Sequence, residues 1–311
     1  MLDANAIRIP TIDEPWTIEE FDAALATLKA AGYETPLDIG AEDKGEWWSY
    51  AYSPMLQSAG GDLIDRETML TADGALNGPE AVEFFTWFQD SFANGYTSNS
   101  GTIGNQEFND DVVALSYTGV WNAMGSLEAI GDDLLILPPP DFGDGPKIGG
   151  GSWQWGISSS CDAVDGAREY LEFSFQDKYI AEFSDKQVVI PATAAAEELS
   201  ANFGEGDPLR PFVELSQAYA LARPATPAYP VISSTFEKAA KDIMSAPTSS
   251  RPSTERSRRS TPTSRPTTAT ASEPSCPAGA APLLPPPERT PPWLPRPRPW
   301  RPRAHRPPLI S

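Results

Sequence analysis

The chain has 311 residues, 23 basic and 43 acidic side chains and a formal net charge of −20. The charge is divided: residues 1–245 hold 12 Lys and Arg against 40 Asp and Glu, whereas residues 246–311 hold 11 Arg against three Glu, together with 18 of the 33 prolines. The acidic body argues against nucleic acid as a partner, no apolar run reaches membrane-span length, and the only histidine, His305, lies in the tail, which removes Ser-His-Asp, Cys-His and His-ligated zinc chemistry from the body.

The first helix is announced by a capping box, Thr17 with Glu20, and by Trp16 and Phe21 as its hydrophobic staple. Phe21, Ala24, Leu25 and Leu28 supply its apolar face and Gly32 its stop. Residues 37–40 read as a short buried strand, EDKGEWW as a loop, and Tyr50 to Ala59 as a helix ending at Gly60-Gly61. Pro79 opens a second strong helix, with Ala81, Phe84, Phe85, Phe88 and Phe92 as its buried stripe and Trp87 at its edge. Val112 to Tyr117 reads as a strand, followed by a short helix in VWNAMGSLEAI; 134–138 and 153–159 read as further strands. Helices are expected at 162–175, with Ala167, Tyr170, Leu171 and Phe175 inward, at 178–186, from Pro208, and around Phe236, Ala240 and Ile243. Helices mixed with strands indicate an α/β class. The tail has too little apolar content to offset chain entropy and is expected to be disordered. The cysteines, Cys161 and Cys276, are divided between body and tail, so no structural disulfide is expected, and the opening MLDANAIRIP lacks the basic and apolar regions of a signal peptide.

Aromatic rings beside glycines and acids carry the functional signal. Glu46-Trp47-Trp48 follows a glycine; in a loop both rings reach a cleft, and Glu46 accepts from ligand hydroxyls, although either ring also suits a core. Trp121 and Asn122 follow Thr118-Gly119 at a helix start, where free N–H groups meet a hydroxyl or carboxylate and the indole stacks above them. Gly149-Gly150-Gly151-Ser152 lets backbone approach a ligand closely, and Trp153 and Trp155 share a strand face; Trp153 is assigned to the ligand and Trp155 is open between cleft and core. Arg223 forks onto a hydroxyl pair or carboxylate, or forms a surface ion pair; Tyr229 is equally balanced between packing and cleft lining. Flat rings with carboxylates and amides nearby suit a sugar.

The order of these pieces resembles the extracellular solute-binding proteins of ABC transporters, family 1, the maltodextrin-binding-like sugar receptors. The residues that carry it are Met1-Leu2, Ile7 to Pro10 with Trp16 to Phe21, EWWSYAYSPMLQSAGGDLID, Phe108 to Trp121, Pro138 to Pro140, 149–157, 167–173 and Arg223 to Tyr229, covering about residues 1–245. The resemblance implies a type II periplasmic-binding-protein-like α/β fold with two hinged lobes. Residues 1–145 and 205–245 would belong to the C-terminal lobe and 146–204 to the returning segment of an N-terminal lobe that is incomplete in this chain. At 246–311 the sequence departs from the family's pattern. One permitted back-translation of 246–273, read in the adjacent frame, yields an acidic amphipathic ending, so the tail is expected to be frame-shifted.

By resemblance the protein is a non-enzymatic receptor, outside the cell or in the periplasm and lipid-anchored in many relatives. It would bind a mono- or oligosaccharide between its lobes and deliver it to the permease subunits of an importer, as a monomer. Neither metal nor cofactor is implied. The ligand residues expected on these grounds are Glu46, Trp47, Trp48, Trp121, Asn122, Gly150, Gly151, Ser152, Trp153 and Arg223. A carboxylate glycosidase and a fragment without activity are the competing readings; the first needs two carboxyls about 5–9 Å apart.

Overall fold

Thr17 caps the first helix, α1 (Ile18–Ala30), through both halves of the capping box: its hydroxyl accepts from the Glu20 N–H and the Glu20 carboxylate accepts from the Thr17 N–H. The staple forms beside it, with the Trp16 and Phe21 rings stacked at 6.0 Å. These observations come from a computed structural model that describes residues 1–101, 104–151 and 153–246. Ser152 and all but Ala246 of the 246–311 tail therefore lie outside the described residues.

Three further long helices close the main core against α1. They are α2 (Glu46–Ser58), α3 (Pro79–Ala93) and α10 (Tyr229–Ser245). Trp48, Tyr52, Phe84, Phe88 and Phe236 are its largest fully buried rings. Trp48 meets Tyr52 edge-on at 4.9 Å, and Phe84 stacks on Phe88 at 6.1 Å. Trp87 packs at the rim of the stripe and donates its indole N–H to Asp22, so its one polar atom is satisfied on burial. Between these helices and the loops run two short parallel pairs. β1 (Leu37–Asp38) pairs with β2 (Leu115–Ser116), and β3 (Ile148–Gly150) pairs with β4 (Ala220–Ala222). The shorter helices are α4 (Gln106–Asn109), α5 (Ala123–Ile130), α6 (Val164–Ser174), α7 (Asp177–Gln187), α8 (Ala194–Leu199) and α9 (Arg210–Tyr219). A small second core joins Ala123 of α5 to Phe203, Leu209 and Val213.

Four sequence expectations are corrected here. Helix α2 begins at Glu46 rather than Tyr50, so Glu46-Trp47-Trp48 is its first turn and not a loop. Gly45, at φ +67°, reverses the chain just before it, and Glu46 lies where the positive end of the helix dipole favours a carboxylate. Residues 134–138 form no strand: they pair with no neighbour among the described residues and run into three prolines that cannot donate. Residues 153–159 form none either and are exposed throughout. On α6 the expected inward face is not covered: Ala167 and Leu171 are half-buried, while Tyr170 and Phe175 are exposed.

One proline positions the site. Pro54 lies inside α2 and cannot donate to the carbonyl of Tyr50 four residues earlier. Gly149 of β3 runs directly against that carbonyl: a Cβ on Gly149 would stand 2.5 Å from the Tyr50 oxygen and 2.9 Å from its ring. A Cβ on Gly150 would stand 2.9 Å from the Leu221 oxygen of β4. The glycine run thus serves close packing of β3 between α2 and β4, which is a structural demand on Gly149 and Gly150.

Candidate functional site

A cleft of about 1420 Å³ opens along the first turns of α2, the β2–α5 connection and the ends of β3 and β4. Its floor is aromatic. Trp47 and Tyr50, one helical turn apart on α2, present neighbouring rings with centroids 6.4 Å apart. Trp121 completes the group from the other side, edge-on to Trp47 at 6.1 Å and tilted over Tyr50 at 6.3 Å. The Trp47 indole N–H is shared between the Ile39 carbonyl and the Tyr52 hydroxyl, each at 3.2 Å, so the ring is held in place from below. Trp121 keeps 36% of its surface exposed, the most of the three.

At the end of that floor the Arg223 guanidinium lies over the Tyr50 ring, 5.2 Å from its centroid. Its Nη1 donates to Glu46 Oε1 at 2.6 Å. The same oxygen accepts from the Tyr229 hydroxyl at 2.6 Å, and Glu46 Oε2 accepts from Ser233 Oγ at 2.8 Å. Ser49 Oγ donates to Ser233 Oγ at 3.1 Å, which continues the chain of bonds into the core. One carboxylate therefore gathers the start of α10 and the segment after β4 onto the first turn of α2. Burial pushes the Tyr229 hydroxyl well above its ordinary pKa, and its bond to Glu46 adds to the effect. Burial also raises Tyr50, with Arg223 opposing it.

Glu46, Trp47, Trp121, Asn122, Gly150, Gly151, Trp153 and Arg223 all line this cleft. Trp48 does not: it is fully buried, and its indole N–H is spent on the Asp43 carbonyl at 2.7 Å. Alternation on a helix, rather than freedom in a loop, decides this, because adjacent residues 47 and 48 point about 100° apart. Glu46 faces the cleft, but both its oxygens accept bonds from protein donors. The helix start at Trp121-Asn122 is a 3-10 turn, Val120–Asn122, before α5, and the Asn122 amide donates back to Thr118 Oγ1 at 2.8 Å. Trp153 is 96% exposed and Trp155 64% exposed, so neither is core. Gly151 alone of the run has a backbone reserved for glycine, at φ +106°. Sequence reading assigned Tyr50 only to a helix start; its place one turn after Glu46 and Trp47 was the available signal, hidden by starting the helix too late. Ser233, on α10, gave no signal at all.

Among the described residues no group of three or more His, Cys, Asp or Glu side chains is arranged to hold a metal ion, and no helix is long and apolar enough to cross a membrane.

Residues 1–210 match the family model of bacterial extracellular solute-binding proteins. No curated protein matches the chain. Among solved structures, the chain is similar to the cyclic α-maltosyl-1,6-maltose binding protein from Arthrobacter globiformis, at 24% identity and TM-score 0.51 over 74% of this chain and 59% of that one. It is similar to a solute-binding protein of an ABC transporter from Thermotoga lettingae bound with α-D-tagatose, at 17% identity and TM-score 0.58 over 74% and 59%. It is also similar to UgpB from Mycobacterium tuberculosis in complex with glycerophosphocholine, at 16% identity and TM-score 0.54 over 78% and 62%. At these identities the likeness concerns the fold, which is that of periplasmic solute-binding proteins. The chain spans about three fifths of the length of each.

Proposed function

The chain belongs to the family of bacterial extracellular solute-binding proteins, and from that premise we propose that it contributes the carbohydrate-binding wall of an importer's receptor. The observation that carries this reading is the three-ring floor of Trp47, Tyr50 and Trp121 with the Arg223 guanidinium at its end. A pyranose offers an apolar C–H face to such rings and a hydroxyl edge to such a donor. Two of the similar structures carry names or ligands of sugar type, which agrees with that chemistry.

In this reading residues 1–145 and 205–245 form one lobe and 146–204 the returning segment of the other. β3 and β4 would be the crossings between the lobes, and closure about them would trap the ligand. The protein works as a monomer outside the cytoplasmic membrane and hands its sugar to permease subunits. It performs no hydrolysis in this reading: Glu46, a carboxylate of the cleft wall, already accepts three hydrogen bonds from protein donors.

Titration of the chain with maltose, maltotriose, tagatose, chitobiose and glycerophosphocholine tests the reading, followed by tryptophan fluorescence and by chromatography of the mixtures. A saturable change with a sugar and no new product is the expected result. Response to glycerophosphocholine alone, response to none of them, or the appearance of cleaved sugar would each overturn it.

A further inference from the structure

We propose that Glu46 is the internal counter-ion of Arg223, and that this pair restricts the cleft to uncharged solutes. The inference rests on the carbohydrate reading above for its ligand, and on the local geometry for its mechanism. A guanidinium at the end of a binding floor would ordinarily recruit carboxylates or phosphates, because its planar fork matches them. Here the charge is met before any ligand arrives: Arg223 Nη1 stands 2.6 Å from Glu46 Oε1. The carboxylate is held in turn by the Tyr229 and Ser233 hydroxyls, so it cannot swing away to release the cation.

What the pair leaves available is donor capacity without net charge. Among the described residues Arg223 donates only through Nη1, and its Nη2 lies beside Gly151, 3.1 Å from where a Cβ on that glycine would stand. Its place over the Tyr50 ring and its bond to Glu46 hold the guanidinium from two sides. An oriented N–H donor of this kind suits a hydroxyl oxygen. The rest of the cleft wall disfavours an anion: with Glu46 and Arg223 cancelling, its charged side chains are Lys44 against Asp43, Asp111 and Asp133. Glu46 is therefore a positioning residue, which sets the direction and the effective charge of Arg223 and does not itself receive the ligand.

Replacing Glu46 by Gln keeps the shape and removes the counter-charge. The full chain, E46Q and the double variant E46Q/R223Q are compared in two ways. The first is affinity for maltose against its acid counterpart maltobionate. The second is quenching of tryptophan emission by iodide against neutral acrylamide, which needs no sugar. In E46Q the preference for maltobionate over maltose is expected to rise about tenfold, the order of effect of one uncompensated charge in a partly buried site. Iodide quenching is expected to rise while acrylamide quenching stays constant, and both changes should vanish in the double variant. An unchanged iodide response in folded E46Q overturns the inference. If the parent chain binds no sugar, the carbohydrate reading fails, and the iodide comparison still decides the charge pairing. If E46Q does not fold, R223Q replaces it: iodide quenching must then fall below that of the parent chain, and no fall counts against the pair.

Discussion

The indole of Trp121 stands edge-on to that of Trp47, with centroids 6.1 Å apart and planes at 77°. Trp47 is buried and pinned by two hydrogen bonds, whereas Trp121 keeps a third of its surface open. The pair thus divides its work: Trp47 braces and Trp121 is presented. Trp121→Ala should weaken sugar binding by about 30-fold, since truncating a central aromatic contact costs roughly 2 kcal/mol. Its melting temperature should change little. Isothermal titration alongside thermal denaturation checks both, and a large loss of stability with unchanged affinity would assign Trp121 to packing.

Trp48 is not the cleft ring that its neighbouring residues suggest, whereas Trp153, assigned to the ligand, lines the cleft. Trp48 is fully buried between Tyr52 and Phe88, and Trp153 is 96% exposed. Trp48→Ala should cost roughly 3–5 kcal/mol, the range for emptying a large core site. Trp153→Ala should stay within about 0.5 kcal/mol of the parent. Urea denaturation of the two variants measures the contrast directly.

The helical core was legible because its signals are local. Thr17 with Glu20, Pro79, and the spacing of Phe84 and Phe88 each depend on one turn of chain, and each is realised. The strands were less legible, because pairing depends on distant partners: Leu115 and Ser116 find β1, whereas 134–138 and 153–159 meet none among the described residues. Periodicity on α6 was correctly placed in sequence but misread as burial, since an apolar stripe says nothing about whether a partner covers it. At the site, residue types suggested a sugar wall, but the start of α2 decided which rings reach it. A shift of four residues in that start hid Tyr50 and placed Trp48 in the cleft. The Glu46 cluster was out of reach, because Arg223, Tyr229 and Ser233 lie at least 177 residues away along the chain.

Asp38 provides a pH-dependent prediction. It is buried in β1 and raised above the ordinary carboxylate range, first by burial, with the Gly40 N–H opposing and Glu107 and Asp43 adding to the rise. The folded chain thus holds this proton more tightly than the unfolded chain. The contribution of Asp38 to stability is complete below its unfolded pKa of about 3.9 and is lost as pH rises through the folded value. Asp38→Asn keeps an oxygen for the Gly40 N–H at 2.8 Å and removes the charge. It should therefore melt at a higher temperature than the parent at about pH 7, and the gain should disappear toward about pH 3, where Asp38 is protonated in both states. A gain that is constant across this range would show that the charge is not its cause.

Gly119 links backbone to site. Its φ of −103° is open to any residue, so glycine is not required there for backbone reasons. It is required by Trp121, whose ring occupies the space of the missing side chain: a Cβ on Gly119 would lie 2.0 Å from ring carbon Cζ3. The ring is the far part of a rotatable side chain with a third of its surface exposed, so the clash resolves by moving the indole rather than the backbone. Gly119→Ala should then lose stability by no more than about 1 kcal/mol, a typical surface-to-boundary change. It should nevertheless lose much of the affinity that Trp121→Ala loses. Combining the two substitutions should cost little beyond Trp121→Ala alone, because the second change acts through the ring that the first removes. Full additivity in the double variant would separate Gly119 from Trp121 and give the glycine a role of its own.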